Sequence, residues 1–439
     1  MPLEDRFGLP LTTSSSAAAA DYVRALDLML SANIGGESLL DAALAADPEF
    51  ALAHIARARM LQVQARVAEA REAAAAARAL SDRVTPREAR HVETIALVID
   101  GKGKAAMAML EEHVAECPQD ALVLSLALGV FGLLGFSGRV DFHEAQLALL
   151  LSLAPSWNED WWFLTYLGWA RIELGEIGTG VGEVERALLL NPRNAYAAHA
   201  RAHGYYEAGE AEGGARFIEG WLPGYDRRSQ LHGHLSWHLA LSHLALGNSE
   251  GARALYADAI RPAVSHAPPL FNLADSASFL WRWQVYGERP PLDGEWQEVA
   301  AHVERFFPRA GMHFADIHAI LAEAASSDDA AALERTGCAR ELAGGGHLAQ
   351  GPIVSELCAG AAAFARGDYA LAADRLGVAL PQLAKVGGSH AQREVFEDTF
   401  IAAALRAGHY DKARARLAER LARRPSARDR RWLDAASAA

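Results

Sequence analysis

The chain has 439 residues, of which 51% are hydrophobic and 22% charged, so its composition is that of a folded globular protein. Its formal net charge is −13, whereas proteins that bind nucleic acids usually present a basic surface, so we expect no nucleic-acid partner. The 3 cysteines include no Cys-x-x-Cys pair, which argues against a disulfide framework and a thiolate zinc site and favours the reducing cytoplasm.

The N-terminal segment, residues 1–16, is predicted to be an arm that precedes the helices. Charged residues at Glu4, Asp5 and Arg6 come before any apolar run, which is unlike a secretory signal. The longest uncharged apolar stretch, Ala121–Phe136, is too short to cross a bilayer. We therefore expect no membrane association.

Proline and glycine divide the chain into segments of repeating length. Five prolines, most of which follow apolar helical patterns, are separated by 38, 32, 37 and 37 residues: Pro48, Pro86, Pro118, Pro155 and Pro192. A small residue follows five positions after each of five glycines: Gly175, Gly209, Gly247, Gly367 and Gly408. Glycine allows the left-handed turn after a first helix, and proline ends a second helix. The pattern predicts consecutive helical hairpins.

These hairpins resemble the tetratricopeptide repeat, a two-helix unit of about 34 residues. The best copy runs from Trp161 to Pro192, with Gly168, Gly175 and Ala187 at the expected offsets. The resemblance implies an all-α fold, a degenerate tetratricopeptide-like solenoid of helical hairpins coiled into a right-handed superhelix.

We expect one continuous α-solenoid over residues 1–439, with helical repeats at 17–410 and an Arg-rich C-terminal cap at 411–439. The basic residues of this cap are expected to face solvent near helix C-termini. Capping boxes are predicted to start helices at three strings, Thr85–Glu88, Ser156–Glu159 and Ser389–Gln392.

A closer resemblance is to the tetratricopeptide repeat protein 38 family and its bacterial relatives. Its signatures match Gly-Gly-Ser-His-Ala-Gln-Arg at 387–393, His-Leu-Ser-Trp-His at 234–238, and Phe-Ala-Asp-Ile-His at 314–318. Tyr205 and Tyr206 stand where the family has His and Glu, so a ligand set that needs this Glu is in doubt. The resemblance covers nearly the whole chain and implies no assigned activity.

Four histidines form the most informative constellation. His199 and His203 are four residues apart, as are His234 and His238, and residues at this spacing share a helical face. The second pair follows the first by 35 residues, about one repeat, so both pairs are expected on the concave face beside Trp237. His203 precedes its glycine by 6 residues but His238 precedes its glycine by 9, which predicts an offset of nearly one turn unless the second repeat is lengthened in its loop.

Three interpretations of these histidines stay open: buried structural residues, a polar pocket for a peptide or small molecule, and a catalytic or metal site. Imidazole suits Zn, Fe or Ni, so any metal would use His199, His203, His234 and His238, although the sequence by itself predicts no metal. The metalloprotease motif His-Glu-x-x-His is absent, and so are the P-loop and the Rossmann glycine pattern, so we expect no cofactor.

Further candidates for the pocket are Asp275, His318, Gln392 and Arg393. Asp275 and Arg282 are seven residues apart and share a helical face, which predicts a structural ion pair between repeats. Gln392 fits a capping box, whereas Arg393 lies in a first helical turn, where a cation is favoured only beside an acid or an anionic ligand.

The sequence favours a non-catalytic binding scaffold whose concave, His-rich face recognises a peptide segment or small molecule. The alternative is an enzyme that uses the same histidines for hydrolysis or other acid–base chemistry. A peptide scaffold predicts an open groove, whereas an enzyme predicts a closed site or bound metal. Trp-rich faces make a homodimer plausible.

Overall fold

A computed structural model describes residues 3–287, 293–326, 329–344 and 351–438. Within these ranges the chain is helical except for one small antiparallel pair in the N-terminal arm, β1 (Leu3–Glu4) and β2 (Pro10–Leu11), which the sequence did not predict. The helices follow one another as hairpins, and the predicted all-α, tetratricopeptide-like solenoid is confirmed.

The first half of the solenoid contains ten helices of the described chain. They are α1 (Ser16–Leu30), α2 (Gly36–Ala46), α3 (Ala51–Val63), α4 (Val67–Arg78), α5 (Pro86–Ile99), α6 (Gly103–Glu116), α7 (Ala121–Ser125), α8 (Phe142–Leu153), α9 (Trp161–Glu173) and α10 (Ile177–Leu190).

The second half continues the same alternation, with the odd-numbered helix first in each hairpin. Its helices are α11 (Ala195–Ala208), α12 (Ala211–Trp221), α13 (His232–Ala245), α14 (Ser249–Leu255), α15 (Pro269–Val285), α16 (Asp293–Phe306), α17 (His313–Ala325), α18 (Asp329–Gly344), α19 (Gly351–Ala365), α20 (Tyr369–Ala379), α21 (His390–Arg406), α22 (Tyr410–Arg423) and α23 (Ala427–Ala438).

Glycine shapes the hairpins as predicted. Gly175 follows α9 with a φ of 84°, and Gly209 follows α11 with a φ of 71°. Residues that carry a Cβ rarely adopt this left-handed backbone conformation. In the α9–α10 hairpin, a Cβ on Gly168 would lie 2.6 Å from the Gly180 carbonyl oxygen. The two helices therefore approach so closely that only glycine fits between them.

Two of the three predicted capping boxes are confirmed and one is wrong. Thr85 and Ser389 each accept a hydrogen bond from the amide three residues later, and the Glu88 and Gln392 side chains bond back to the cap amide. Ser156 does not begin α9. Asp160 takes that role because its carboxylate accepts from the Trp162 and Phe163 amides, while Ser156 ends a preceding 3₁₀ turn.

The hollow of the superhelix is filled by an irregular segment that lies between α7 and α8, residues 126–141. Phe131 packs on Phe271 of α15 and Phe314 of α17, with ring centroids 4.7 and 5.0 Å apart. Phe136 packs on His313, 5.2 Å between ring centroids. This segment, which we call the plug, replaces an open groove with an aromatic core.

Helix α21 closes the hollow further because it contacts helices far away in the sequence. The His390 amide donates to Glu173 of α9 at 3.2 Å, and Tyr206 of α11 donates its hydroxyl to Glu394 at 3.0 Å. Tyr206 is one of the residues that depart from the family pattern. Here its hydroxyl joins the middle of the chain to the C-terminal helices.

The C-terminal cap is not a uniformly solvated basic surface, which corrects the expectation from charge. Arg420 is 3% exposed and its guanidinium contacts Glu394 at 2.6 Å, Asp398 at 2.7 Å and Asp429 at 3.0 Å. Burial of this cation is tolerated because three carboxylates surround it. The cluster binds α22 and α23 to α21.

The ion pair between repeats that the sequence predicted here is confirmed at Arg282. Arg282 of α15 donates to Asp398 of α21 at 3.2 Å and to the Ala391 carbonyl oxygen at 2.6 Å. Asp275 lies on the same helix, but its carboxylate accepts a hydrogen bond from His234 of α13. The two residues have different partners because α15 packs between these helices.

Across the described residues, the search for a helix long and apolar enough to span a bilayer finds none.

Candidate functional site

The four histidines predicted to converge lie side by side on α11 and α13. The His199 and His234 ring centroids are 4.7 Å apart, and those of His203 and His238 are 4.6 Å apart. The two pairs are therefore level, and the predicted offset of nearly one turn does not occur. Helix α13 instead extends further beyond its second histidine than α11 does, and this extension places the turn glycine later.

Three of these side chains are buried, and His199 is partly exposed. His203 is fully buried, and His234 and His238 are 2% and 3% exposed. Any ligand that reaches the cluster must therefore approach from the side of His199. We call these four side chains the histidine cluster.

Two carboxylates lie behind the histidine cluster and orient two of its rings. His203 Nδ1 lies 2.7 Å from Glu173 Oε1 of α9, and His234 Nδ1 donates to Asp275 Oδ1 of α15 at 2.9 Å. An imidazole nitrogen this close to a carboxylate carries its proton there, so the Nε2 atom of each neutral ring keeps a lone pair. The carboxylates thus direct both lone pairs toward the other two histidines.

The two carboxyl groups differ in their electrostatic surroundings. Burial alone would raise the pKa of Glu173, but His203, His390 and His143 hold it well below its usual range. Burial raises the pKa of Asp275, because its interactions with His234 only partly offset the desolvation.

The Nε2 atoms face one another at short distances. His199 Nε2 lies 3.0 Å from both His203 Nε2 and His234 Nε2. His238 Nε2 is buried and has no hydrogen-bond partner among the described residues. One atom from each ring can be chosen so that all four lie within 4.8 Å of one another. An N–H at His199 Nε2 can donate to His203 Nε2 or to His234 Nε2 but not to both. The four side chains together therefore have fewer hydrogen-bond donors than acceptors.

Burial also determines the charge of two of these rings. Desolvation, reinforced by the neighbouring imidazoles, lowers the pKa of His199 and of His238 well below its usual value. Both rings are therefore neutral at pH 7, and their nitrogen lone pairs are not blocked by an additional proton.

Trp237 forms the wall of the site. It is fully buried, and its ring stacks on His234 at 5.3 Å between centroids with an interplanar angle of 12°. The Arg282 guanidinium lies 5.7 Å from the centre of the Trp237 ring. The indole therefore holds His234 in place and separates the cluster from the buried charges of α21.

A second layer of polar side chains, which the sequence analysis did not identify, continues from Glu173. His143 of α8 lies 3.6 Å from Glu173, and both of its ring nitrogens are buried without a hydrogen bond to any described residue. Burial lowers the pKa of His143 to about 3. Only the position of Glu173, two residues before a hairpin glycine, could have indicated that it faces the hollow.

The other predicted pocket residues have structural partners. Gln392 completes the α21 cap, and Arg393 donates to the Gly387 and Gly388 carbonyl oxygens of the preceding turn. Burial lowers the pKa of Arg393, opposed by the nearby Glu173, Glu397 and Glu207 carboxylates. The acidic neighbours that the sequence predicted for Arg393 are therefore present.

His318 lies apart from the histidine cluster in the contacts that the described residues make. It donates Nδ1–H to the Phe314 carbonyl oxygen at 2.8 Å, and its ring packs beside Phe314 and Phe396. Burial lowers its pKa to about 4. Whether His318, Gln392 or Arg393 contacts a ligand remains a prediction.

A second group of buried histidines lies in the first half of the solenoid. Asp120 Oδ2 is 2.8 Å from His91 Nδ1 and 3.0 Å from His113 Nε2, and it also faces Arg87 at 3.4 Å. Burial would raise the pKa of Asp120, but the two imidazoles hold it well below its usual range. In this group, which we call the Asp120 cluster, the carboxylate lies between the rings.

No protein-family model matches the chain. Solved helical-repeat structures are similar to it over most of its length. A monomeric mutant of IFIT1 with Gppp-AAAA is 13% identical, with a TM-score of 0.38, and the match covers 100% of this chain and 98% of the other. Yeast Tom70 is 14% identical with a TM-score of 0.33, and the match covers 96% and 87% of the two chains.

The TPR domain of P58(IPK) is 15% identical with a TM-score of 0.23, and the match covers 89% of both chains. With scores this low, the assignment of the fold depends on the helices of the chain itself.

Proposed function

We propose that the chain is a helical-repeat scaffold that encloses a small ligand at the histidine cluster. One observation carries the proposal: four imidazoles from two adjacent repeats each bring a ring nitrogen within 4.8 Å of the others, while carboxylates lie behind two of the rings. Side chains that only fill a core do not need oriented lone pairs that lack donors. A ligand supplies the missing partner.

The enclosed position favours a small ligand over an extended peptide. A peptide bound to a repeat protein needs an exposed groove that spans several hairpins, but the plug and α21 fill this hollow. Of the four histidines only His199 is partly exposed, so a ligand can reach the histidine cluster only from the edge where His199 lies. The same arrangement is compatible with the acid–base alternative, since each His–carboxylate pair resembles a general base and its orienting group.

We also propose that the chain is a bacterial relative of the tetratricopeptide repeat protein 38 family and acts in the cytoplasm. The Gly-Gly-Ser-His-Ala-Gln-Arg string at 387–393 supports the first point, since it forms the turn and cap that begin α21. The three unpaired cysteines support the second.

Native mass spectrometry of the chain, prepared without a polyhistidine tag, tests the enclosed ligand. We expect a mass above that of the polypeptide that disappears on denaturation and is absent from the variant His199→Ala/His238→Ala. His266→Ala, which removes an exposed histidine, is the matched control and should keep the additional mass. A bare polypeptide mass for the unmodified chain, with no thermal shift from metal ions or small polar ligands, would contradict the proposal.

A further inference from the structure

We infer that the ligand of the histidine cluster is a divalent transition-metal ion bound by the imidazoles of His199, His203, His234 and His238. This inference rests on the enclosed site proposed above and specifies its occupant. It follows from the chemistry of the donor atoms, their separation, and the carboxylates behind them.

The donor atoms are those that a borderline metal ion prefers. Neutral imidazole nitrogen suits Zn, Cu, Fe and Ni, whereas Mg²⁺ and Ca²⁺ require oxygen ligands. His203 and His234 present Nε2 lone pairs because their Nδ1 protons face Glu173 and Asp275. His238 Nε2 is buried without a hydrogen-bond partner among the described residues, so no such bond competes with a metal ion for this nitrogen.

The separations agree with coordination of one ion. Two nitrogens bound tetrahedrally to zinc at about 2.05 Å lie about 3.3 Å apart. His199 Nε2 is 3.0 Å from two of its neighbours, and the set of four atoms spans at most 4.8 Å. Small rotations of rings that already face one another would bring the four nitrogens to bonding distance of a common centre.

The carboxylates have the arrangement found behind histidine ligands in metalloproteins. A metal-bound histidine usually donates its other ring N–H to a carboxylate, which fixes the tautomer and increases the basicity of the ligand. Asp275 of α15 accepts such a hydrogen bond from His234 Nδ1, and Glu173 of α9 lies 2.7 Å from His203 Nδ1. These two helices flank the ligand helices α11 and α13. They also place negative charge near an ion whose four ligands are neutral.

Histidines 35 residues apart meet at this point because of the solenoid itself. Adjacent first helices pack in parallel register, so equivalent positions in consecutive repeats lie side by side. A pair of His-x-x-x-His strings on such helices gives four donors on one inner face. The repeat architecture thereby builds a metal site without any loop.

Metal analysis of the tag-free chain is the direct test. The chain is dialysed against EDTA, reloaded with Zn²⁺ or Co²⁺, and passed through a desalting column before the metal content is measured. We expect one equivalent of either ion, and visible Co²⁺ absorption bands of a four-coordinate nitrogen site. His238→Ala should lose the bound metal and these bands, whereas His266→Ala should keep both.

The Zn²⁺ affinity of variants at the two orienting carboxylates is a second readout. It would not change if these carboxylates had only a structural role. Glu173→Gln and Asp275→Asn keep all four imidazoles, and we expect each to weaken Zn²⁺ binding about 10- to 100-fold in a competition titration with a chromogenic chelator. Circular dichroism at the assay temperature selects variants that remain folded, so a lost fold is not counted as lost affinity.

The outcomes separate this inference from the proposed function. One equivalent of metal that depends on His238 supports both. A reloaded, folded chain with less than a tenth of an equivalent, or metal binding unchanged in His199→Ala/His238→Ala, overturns the metal site. If native mass spectrometry then still finds a cluster-dependent organic ligand, the enclosed site survives without the metal, and if it finds no ligand, both proposals are wrong.

Discussion

The molecule contains two buried histidine groups that differ in where the carboxylate lies. In the Asp120 cluster, His91 and His113 both face one carboxylate oxygen, which is the centre of the group. In the histidine cluster, Glu173 and Asp275 lie at the periphery and the ring nitrogens occupy the centre. A carboxylate between two imidazoles is itself the partner of both rings. Carboxylates behind the rings instead orient the imidazoles so that their free nitrogens face one another.

We propose that this difference separates a structural group from a binding site. Both groups have metal-ligand residue types within 4.8 Å, so proximity alone does not distinguish them. Asp120 also faces Arg87 and caps α7 through the Val123 amide, so its oxygens already have partners in the chain. The histidine cluster has an excess of acceptors over donors, and only an additional cation or donor removes the excess.

The largest effect is expected from Asp120→Asn. This change removes the charge that the two buried imidazoles and Arg87 share, and loss of one partner of a buried ion pair costs about 3 to 5 kcal/mol. We expect the free energy of unfolding to fall by about this amount in a denaturant titration followed by circular dichroism. A loss below about 1 kcal/mol would show that the Asp120 cluster is not a closed ionic structure.

The second prediction concerns stabilisation by zinc. A ligand present at 100 times its dissociation constant stabilises a folded protein by about 2.7 kcal/mol. We expect Zn²⁺ to raise the melting temperature of the EDTA-treated chain and of the variant His113→Gln by the same increment. His199→Ala/His238→Ala should show no increase. If the increase is lost in His113→Gln but kept in His199→Ala/His238→Ala, the zinc binds at the Asp120 cluster and not at the histidine cluster.

The third prediction uses buried histidines that lack a carboxylate partner in the described contacts. Burial lowers the pKa of His313 and of His318 to about 4. Because the folded pKa lies below the unfolded value of about 6.5, the unfolded state binds more protons between these values, and stability falls as the pH decreases from about 6.5 toward 4.

Each of these two groups contributes a slope of about 1.4 kcal/mol per pH unit within that window. We expect His318→Leu to flatten the measured dependence of unfolding free energy on pH by about this slope. An unchanged slope in His318→Leu would show that burial does not lower the pKa of this histidine in the folded chain.

The smallest effect is expected from Asp275→Asn in the metal-free chain. An asparagine oxygen can still accept the His234 Nδ1–H, and Asp275 has fewer charged partners than Asp120, so the cost should be about 1 kcal/mol. Denaturant titrations of the two asparagine variants under one condition measure this difference. Equal losses at Asp120 and Asp275 would remove the distinction between a central and a peripheral carboxylate.

The local features of the chain could be read from its sequence because they depend on neighbouring residues. A glycine with positive φ, a Ser or Thr cap and a His pair four residues apart each act within one or two helical turns. The hairpins, two capping boxes and the candidate set His199, His203, His234 and His238 were therefore accessible. The wrong cap at Ser156 arose because Asp160, four residues later, accepts from the Trp162 and Phe163 amides and begins the helix there.

The partners of the buried polar groups were decided only by tertiary structure. The sequence predicted an ion pair between repeats at Asp275 and Arg282 but did not name the partners. Helix α15 packs between α13 and α21, so Asp275 meets His234 and Arg282 meets Asp398. The plug was not identified because it has no local signal. Glu173 was not identified because its position two residues before Gly175 indicates a face of the helix but not the groups that it meets. Helical periodicity specifies which face a residue occupies, whereas the group that meets it depends on packing between segments separated by tens or hundreds of residues.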